Sequence, residues 1–169
     1  KLRCNYNMMS FSGAGERVKP GPSRRSREIS FITEGALAPV LDLRDFPGAV
    51  VDVFIELIQT DGGTRCAGIC AAALALADAG FPMKDLVSAV SIGLLDGKML
   101  VDVNGEEDSV LGATDIPIAM LPRTGEISLL QMDGLAKKED IKEVLKTARK
   151  FCLQIYKVQC EALKARYRK

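Results

Sequence analysis

The residues best suited to chemistry form one short segment, Asp61-Gly62-Gly63-Thr64-Arg65. It follows an apolar run, 49–58, and precedes an alanine-rich run, 66–79, so the pattern predicts a strand that turns into a helix. The start of a helix presents free backbone N–H groups and the positive end of the helix dipole. Gly63 lets an anion approach the backbone, Thr64 adds a hydroxyl, and Arg65 adds a fork of donors that fits phosphate oxygens. The segment is therefore a candidate phosphate-binding turn.

The same segment has a simpler interpretation. A Gly-Gly pair between a strand and a helix is often only a tight turn with a capping Thr, and an arginine there is often solvated or paired with an acid. The pattern also differs from the P-loop, which has a longer glycine loop ending in Lys-Ser/Thr. These residues alone leave both interpretations open.

Two other groups of charged residues suit the same chemistry. The basic group lies in the Gly-, Pro- and Ser-rich segment 12–26 and just after it, and comprises Arg17, Lys19, Arg24, Arg25 and Arg27. The acidic group comprises Asp102, Glu106, Glu107, Asp108 and Asp115. Arginines neutralise phosphate and carboxylates hold a divalent ion or act as a general acid, so the groups together would support phosphoryl transfer. Taken singly, each group is also typical of a solvated surface.

Composition excludes several other mechanisms. The chain of 169 residues contains no histidine, which rules out a His base, a Ser-His or Cys-His pair and His-ligated zinc. The 5 cysteines are scattered, which favours a reducing, cytoplasmic setting over a disulfide framework. Cys66 and Cys70 share a predicted helix face and are best interpreted as small buried residues. No run is long and apolar enough to span a bilayer, so we expect no membrane contact, and the first residues alternate like a strand rather than a signal peptide.

The first half of the chain alternates between strand and helix patterns. We predict a strand over 2–11, a mobile basic loop over 12–26, a helix over 28–43, a strand over 49–60 and a helix over 66–79. Ser26 is the expected N-cap of the first helix, and Pro39 predicts a kink or an early end. The strand over 49–60 is rich in Val and Ile, and we expect it to be buried on both faces near its start.

The sequence pattern of the second half of the chain predicts two hairpins and a long helix. The strands of the hairpins are predicted over 86–95 and 98–103, around Asp96-Gly97, and over 116–121 and 126–132, around Thr124-Gly125. An acidic loop, 104–108, lies between them. Apolar residues at helical spacing then predict an amphipathic helix over 137–166. Hairpins interleaved with helices indicate an α+β fold in which helices cover one side of a mixed sheet.

Several motifs resemble those of the RNase PH family of phosphorolytic exoribonucleases, and most closely those of the catalytic ring subunits of archaeal RNA exosomes. The resemblance covers nearly the whole chain. It rests on Arg24-Arg25-Ser26-Arg27-Glu28-Ile29, Val51-Asp52-Val53-Phe54-Ile55-Glu56, Asp61-Gly62-Gly63-Thr64-Arg65, Ala75-Leu76-Ala77-Asp78-Ala79-Gly80, Glu106-Glu107-Asp108 with Asp115-Ile116-Pro117, and Leu129-Leu130-Gln131-Met132-Asp133-Gly134.

The resemblance implies a fold and a reaction. The fold is of the β-α-β type seen in ribosomal protein S5 domain 2. Inorganic phosphate, a co-substrate, attacks the 3′-terminal phosphodiester of single-stranded RNA and releases a nucleoside diphosphate, and the reverse reaction adds 3′ tails. By position, the phosphate-binding residues are Arg25, Gly63, Thr64 and Arg65, the RNA-binding residues are Arg24 and Arg25, and the catalytic pair is Asp108 and Asp115. The same aspartates are the expected ligands of Mg²⁺ or Mn²⁺, and which of them acts as acid stays open.

The resemblance also implies partners. We expect a homologous non-catalytic ring subunit, in a trimer of heterodimers, together with RNA-binding cap proteins. Two alternatives are a stand-alone RNase PH that trims tRNA 3′ ends and a non-catalytic or truncated ring subunit that only binds RNA and partners.

Two features depart from the family pattern. We expect the usual N-terminal portion, with its strands, to be missing from an RNase PH-like domain spanning 1–169, of which 1–83 carries the phosphate-binding turn and 84–169 the aspartates and the last helix. The spacing from Asp108 to Asp115 is one residue wider than the family pattern, and a β-bulge would absorb the difference.

Overall fold

The computed structural model describes residues 1–15, 17–19 and 21–168. Within these residues, six strands and four helices follow one another, with a short 3₁₀ turn, Ala38–Val40, after the first helix. Their bounds are β1 Leu2–Met8, α1 Arg24–Leu37, β2 Val51–Leu57, α2 Thr64–Asp78, β3 Ser88–Leu95, β4 Lys98–Val101, α3 Gly105–Ser109, β5 Thr114–Leu121, β6 Glu126–Leu130 and α4 Lys138–Tyr167. The predicted α+β class is confirmed.

The strands form two sheets. β1 and β2 pair in parallel, with Leu2 opposite Val51, and α1 forms the crossover between them. The other four strands form an antiparallel sheet in the order β4-β3-β5-β6. The parallel and antiparallel pairs that a mixed sheet implies are both present, but in separate sheets. β2 is buried on one face only, with Val53 and Ile55 inside and Asp52 exposed, so its predicted burial on both faces was wrong.

Helix α2 packs between the two sheets and joins them. Its buried residues, Ile69, Ala72 and Ala73 among them, share one core with β1, β2 and α1, and with Ala89 and Ala119 of the antiparallel sheet. The opposite face of that sheet carries a second core against α4. The antiparallel sheet is thus covered on both faces, because its strands alternate small residues toward α2 with larger ones toward α4. The expectation that helices cover only one side was wrong.

Polar contacts also join the layers. Gln159 of α4 accepts a hydrogen bond from the Ser88 hydroxyl at 2.7 Å and donates to the carbonyls of Cys70 and Val87. All of the cysteines are free. Within the described part of the chain, no helix combines the length and apolar character needed to cross a bilayer.

The ends of two helices differ from the sequence prediction. α1 begins at Arg24 rather than at 28, because Ser23 rather than Ser26 is its N-cap, and the two serines form a reciprocal capping box. Arg24 and Arg25 therefore lie on the first helical turn instead of in the mobile loop predicted over 12–26; residues 16 and 20 of that segment lie outside the described ones. Pro39 was predicted to cause either a kink or an early end, and the helix does end early, just before this proline.

The acidic segment is a second difference. It forms the short helix α3 instead of a loop, and Asn104 caps it with Glu107 in another capping box. The sequence shows a residue pair fit for capping there, but a single helical turn has no apolar periodicity to reveal it.

Candidate active site

A cavity of about 560 Å³ collects the predicted site residues. It lies between the start of α1, the turn before α2, α3, and the residues at the start of β5 and just after β6. The seven residues that were assigned roles from the sequence line it: Arg24, Arg25, Gly63, Thr64, Arg65, Asp108 and Asp115. The other members of the two charged groups are not among its lining residues: Arg17, Lys19, Arg27, Asp102, Glu106 and Glu107. The structure therefore brings together part of the basic group, the turn and part of the acidic group, which the residue pattern alone left unconnected.

The turn before α2 depends on two glycines. Gly62 and Gly63 have φ of 72° and 54°, in the left-handed region that side chains disfavour. A Cβ on Gly62 would lie 2.4 Å from the carbonyl oxygen of Val103, so this turn packs directly against the segment that leads into α3. Gly63 is the N-cap and supplies no side chain, so no side chain of the cap residue satisfies the first N–H groups of α2, whose first residues line the cavity. Thr64 is the first helical residue and not the cap that the simpler interpretation assumed.

Thr64 is fixed by a tyrosine from β1. The Tyr6 hydroxyl donates to the Thr64 hydroxyl oxygen at 2.7 Å, and both residues are buried. Burial raises the pKa of the Tyr6 phenol, against the opposing effects of the hydrogen bond with Thr64 and of the Arg25 and Arg65 charges, so the phenol keeps its hydrogen at neutral pH. Sequence reasoning missed Tyr6, since its inward position in an alternating strand marks only a core residue.

Arg65 is held at its guanidinium group. One terminal nitrogen donates to the Gln131 side-chain oxygen at 2.6 Å and lies 3.8 Å from a carboxylate oxygen of Glu28. The side chain is 20 % exposed, so little solvent competes for it. Glu28 lies one helical turn after Arg24 in α1, and Gln131 follows β6 directly, so three separate elements meet at this arginine. Both partners belong to the quoted motifs but were assigned no role from the sequence.

Asp108 lies in α3, which is anchored to the turn. The Asp61 carboxylate accepts a hydrogen bond from the Gly105 N–H at 3.0 Å, at the first residue of the helix. The side chain of Asp108 is exposed and lines the cavity. The contact at Asp61 and the close packing of Gly62 thus fix the acidic helix relative to the phosphate-binding turn.

Asp115 lies at the start of β5 in a less exposed position. It pairs with Asp133 through two backbone hydrogen bonds, and the Ser91 hydroxyl donates to its carboxylate. Burial raises the pKa of the Asp115 carboxyl. The Ser91 hydrogen bond and the Arg65 charge oppose this shift, whereas the charges of Asp108 and Asp133 act in the same direction as burial. Ser91 and Asp133 are further lining residues that sequence reasoning missed, because the strand pairing that brings them to Asp115 is not visible in the sequence.

The wider spacing between the aspartates is not absorbed by a β-bulge. The chain between them contains the end of α3 and a turn in which Gly112 has φ of 70°. The irregularity in β5 lies between Ala119 and Met120, beyond this interval. A left-handed glycine turn accommodates the extra residue as readily as a bulge would.

Basic and acidic side chains line the cavity together. Arg24, Arg25 and Arg65 share it with Asp108 and Asp115, and its volume suits a phosphate group and a phosphodiester. Within the described ranges, no three ligand-type side chains come close enough to form a protein-only metal site. Two carboxylates beside a phosphate site still fit Mg²⁺ or Mn²⁺, because Mg²⁺ usually takes one or two carboxylates together with substrate phosphate oxygens.

Comparison with known proteins shows consistent similarities. Residues 1–82 match the family profile described as "3' exoribonuclease family, domain 1", and residues 85–150 match domain 2 of the same family. The "Exosome complex component Rrp41" of Thermococcus gammatolerans is 54% identical over 99% of this chain and 67% of its own length. The proteins of that name from Pyrococcus furiosus and Methanopyrus kandleri are 53% and 47% identical, over 66% and 69% of their lengths. This chain thus spans about two thirds of the length of these relatives.

A solved structure supports the fold. The crystal structure of rice (Oryza sativa) Rrp46 superposes with a TM-score of 0.82 over 96% of this chain and 73% of that one. At 18% sequence identity this similarity concerns the fold alone.

Proposed function

Because the chain belongs to the 3′ exoribonuclease family of RNase PH-like proteins, we propose that it degrades RNA from the 3′ end by phosphorolysis. The observation that carries this proposal is the single cavity in which the Gly-Gly turn, three arginines and two aspartates meet. A phosphate-binding turn opposite carboxylates suits a reaction in which free phosphate is the nucleophile. The reaction is reversible, so a nucleoside diphosphate can also extend a 3′ end.

The proposed reaction joins two anions. An oxygen of inorganic phosphate attacks the phosphorus of the 3′-terminal phosphodiester, the bond from that phosphorus to the 3′ oxygen breaks, and a nucleoside diphosphate leaves. Arg65 and Arg25 offset the charge repulsion, and the backbone N–H groups at Gly63 and Thr64 orient the nucleophile. The ion pair with Glu28 and the hydrogen bond to Gln131 keep Arg65 in one orientation.

The leaving 3′ oxygen needs a proton. Asp115 is the better suited donor, because burial and neighbouring carboxylates raise its pKa and so favour its protonated form. Asp108, which is exposed on α3, is then the principal ligand of Mg²⁺ or Mn²⁺, with Asp115 adjacent. When bound, such an ion neutralises charge on the reacting phosphoryl oxygens.

RNA would be held mainly through its backbone. Arg24 and Arg25 lie on the first turn of α1, at the edge of the cavity, where they can contact phosphates of the 3′ end. Contacts of this kind are tolerant of sequence and sensitive to salt. The narrow approach and the 2′-hydroxyl would favour RNA over DNA.

We further propose that the chain acts as the catalytic subunit of an archaeal RNA exosome, since its curated relatives carry the name of an exosome component. The partners are then a homologous non-catalytic ring subunit, in a trimer of heterodimers, and RNA-binding cap proteins. The setting is the cytoplasm, as the free cysteines favour. We also propose that the chain has two parts: 1–83, which carries the phosphate-binding turn, and 84–169, which carries the aspartates and the last helix.

One assay separates this function from its alternatives. The protein is incubated with single-stranded RNA, inorganic phosphate and Mg²⁺, with and without a candidate ring partner, and the products are identified by chromatography. We expect nucleoside diphosphates only when the partner is present. Diphosphates without a partner would indicate a stand-alone RNase PH, whereas RNA binding without products in either case would indicate a non-catalytic subunit. Monophosphates formed independently of phosphate would refute phosphorolysis.

A further inference from the structure

We propose that Tyr6 is a positioning residue of the phosphate site: its hydrogen bond to Thr64 directs the Thr64 hydroxyl hydrogen toward the bound phosphate. This inference rests on the proposed function. It assigns a task to a buried residue of β1 that does not touch the substrate itself.

The Tyr6 hydroxyl restricts the direction of the Thr64 hydroxyl hydrogen. A threonine hydroxyl has one hydrogen to donate and two lone pairs to accept with. The Tyr6 hydroxyl donates to this oxygen at 2.7 Å, so one lone pair is used by the protein. The Thr64 hydrogen must then point away from Tyr6, because a hydrogen directed at Tyr6 would collide with the one that Tyr6 donates.

The Thr64 hydroxyl hydrogen has no carbonyl of an earlier helical turn as its acceptor. Inside a helix, a hydroxyl usually donates to a carbonyl one turn earlier, as Thr33 does to Ile29 at 2.8 Å and Ser30 does to Ser26 at 2.7 Å in α1. Thr64 is the first residue of α2, so no helical turn precedes it. Its remaining direction is the cavity that it lines, where a phosphate oxygen would accept.

Tyr6 is itself held rigidly by its surroundings. Tyr6 is only 4% exposed and belongs to the core that β1 shares with α1 and α2. Its N–H also donates to the Ser30 hydroxyl of α1 at 2.9 Å, which fixes the backbone from which the ring extends. A donor held this firmly gives Thr64 one orientation before phosphate arrives, and preorganisation of this kind improves affinity without a new contact.

The test compares four proteins: the wild-type chain, Tyr6→Phe, Thr64→Val and the double variant. Binding of inorganic phosphate is measured by titration calorimetry, and thermal unfolding is recorded by circular dichroism. Tyr167→Phe is the matched control, since the Tyr167 hydroxyl also donates, at 3.0 Å to the Asp78 carbonyl, but at the far end of α2. The KM for phosphate is measured alongside in the phosphorolysis assay, with the ring partner present.

We expect Tyr6→Phe to weaken phosphate binding about 5- to 10-fold, the effect of one hydrogen bond. In the double variant the phosphate affinity should equal that of Thr64→Val, because Tyr6 acts through Thr64. Thr64→Val leaves the Tyr6 hydroxyl buried without a partner, so removing that hydroxyl as well should raise the melting temperature again.

Three results would overturn the inference. They are a Tyr6→Phe protein that unfolds at lower temperature but binds phosphate as the wild type does, an effect of Tyr6→Phe that persists undiminished beside Thr64→Val, and an equal effect of Tyr167→Phe. If the wild type releases diphosphates and only the Tyr6 result fails, the proposed function stands. If the wild type binds no phosphate and releases monophosphates, the proposed function fails, and the inference fails with it.

Discussion

At the scale of single residues, the site depends on how charged groups are held as much as on which ones are present. Arg65 is fixed between Gln131 and Glu28, and Asp115 lies among Ser91, Asp108 and Asp133. The sequence singled out Arg65 and Asp115 as candidate site residues, but not the residues that hold them in place. Those supporting residues are common polar types at ordinary positions, and only the fold gives them a neighbour to act on.

Replacement of Arg65 by Lys tests whether its geometry matters beyond its charge. Lysine keeps the positive charge but loses the planar fork that can bind phosphate while donating to Gln131. We expect kcat/KM for phosphate to fall by about 10²-fold or more, with little change in melting temperature. Arg44→Lys is the control, because Arg44 pairs with Asp42 at an exposed site that does not line the cavity. Near-normal turnover by the Arg65→Lys protein would contradict the role of this residue.

Replacement of Asp108 and of Asp115 by Asn separates binding from chemistry. Each change removes a group needed to protonate the leaving oxygen or to hold the cation, so diphosphate release should fall by about 10²-fold or more. Binding of inorganic phosphate should be retained in the Asp115→Asn protein, and retained or tighter in the Asp108→Asn protein, where a negative charge near the anion is removed. The measurements are product release and phosphate titration, with Asp45→Asn, at an exposed turn, as the control. A variant that keeps its turnover would remove that aspartate from the mechanism.

At the scale of elements, strongly periodic segments were predictable and short ones were not. The alternation of β1, the Asp96-Gly97 hairpin and the long amphipathic α4 all appear where the sequence placed them, within a few residues. The early end of α1 followed from Pro39. By contrast, Ser23 caps α1 where the sequence predicted Ser26, and α3 is too short to leave a periodic signal. Both features depend on local side-chain hydrogen bonds, which hydrophobic periodicity does not reveal.

The turn between β2 and α2 gives a test with a closely matched control. Gly62 and Gly97 have φ of 72° and 73°, but a Cβ on Gly62 would meet the Val103 carbonyl at 2.4 Å, whereas one on Gly97 would meet nothing within 4 Å. Gly97→Ala should therefore cost only the left-handed strain, about 1 kcal/mol of unfolding free energy. Gly62→Ala should cost about 3 kcal/mol or more, or displace α3 and abolish phosphorolysis. Denaturant unfolding and the phosphorolysis assay measure both, and equal losses in the two variants would contradict the packing of the turn against α3.

At the scale of the whole molecule, the site is assembled from distant parts of the sequence. Its residues come from the start of α1, the turn before α2, α3, β5 and the segment after β6, which meet only because α2 joins the two sheets. The family resemblance anticipated this assembly, since four of its six motifs contribute residues to the cavity lining. Without the resemblance, composition and periodicity predict the helices and strands. They give no reason to expect the basic and acidic groups in one site.

The overall charge of the molecule also shapes its binding of RNA. The formal net charge is only +1, so attraction of RNA must come from the local arrangement of arginines rather than from the protein as a whole. Arg24 is exposed at the edge of the cavity, and if it neutralises one phosphate of a single strand, its loss should lower the slope of log K against log salt by about 0.7. The measurement is a fluorescence anisotropy titration of a labelled RNA at several salt concentrations. Arg44→Ala removes an equal charge outside the cavity and should leave the slope unchanged. Equal slopes for Arg24→Ala and the wild type would place the RNA backbone elsewhere on the surface, because the number of phosphates neutralised would then not depend on this arginine.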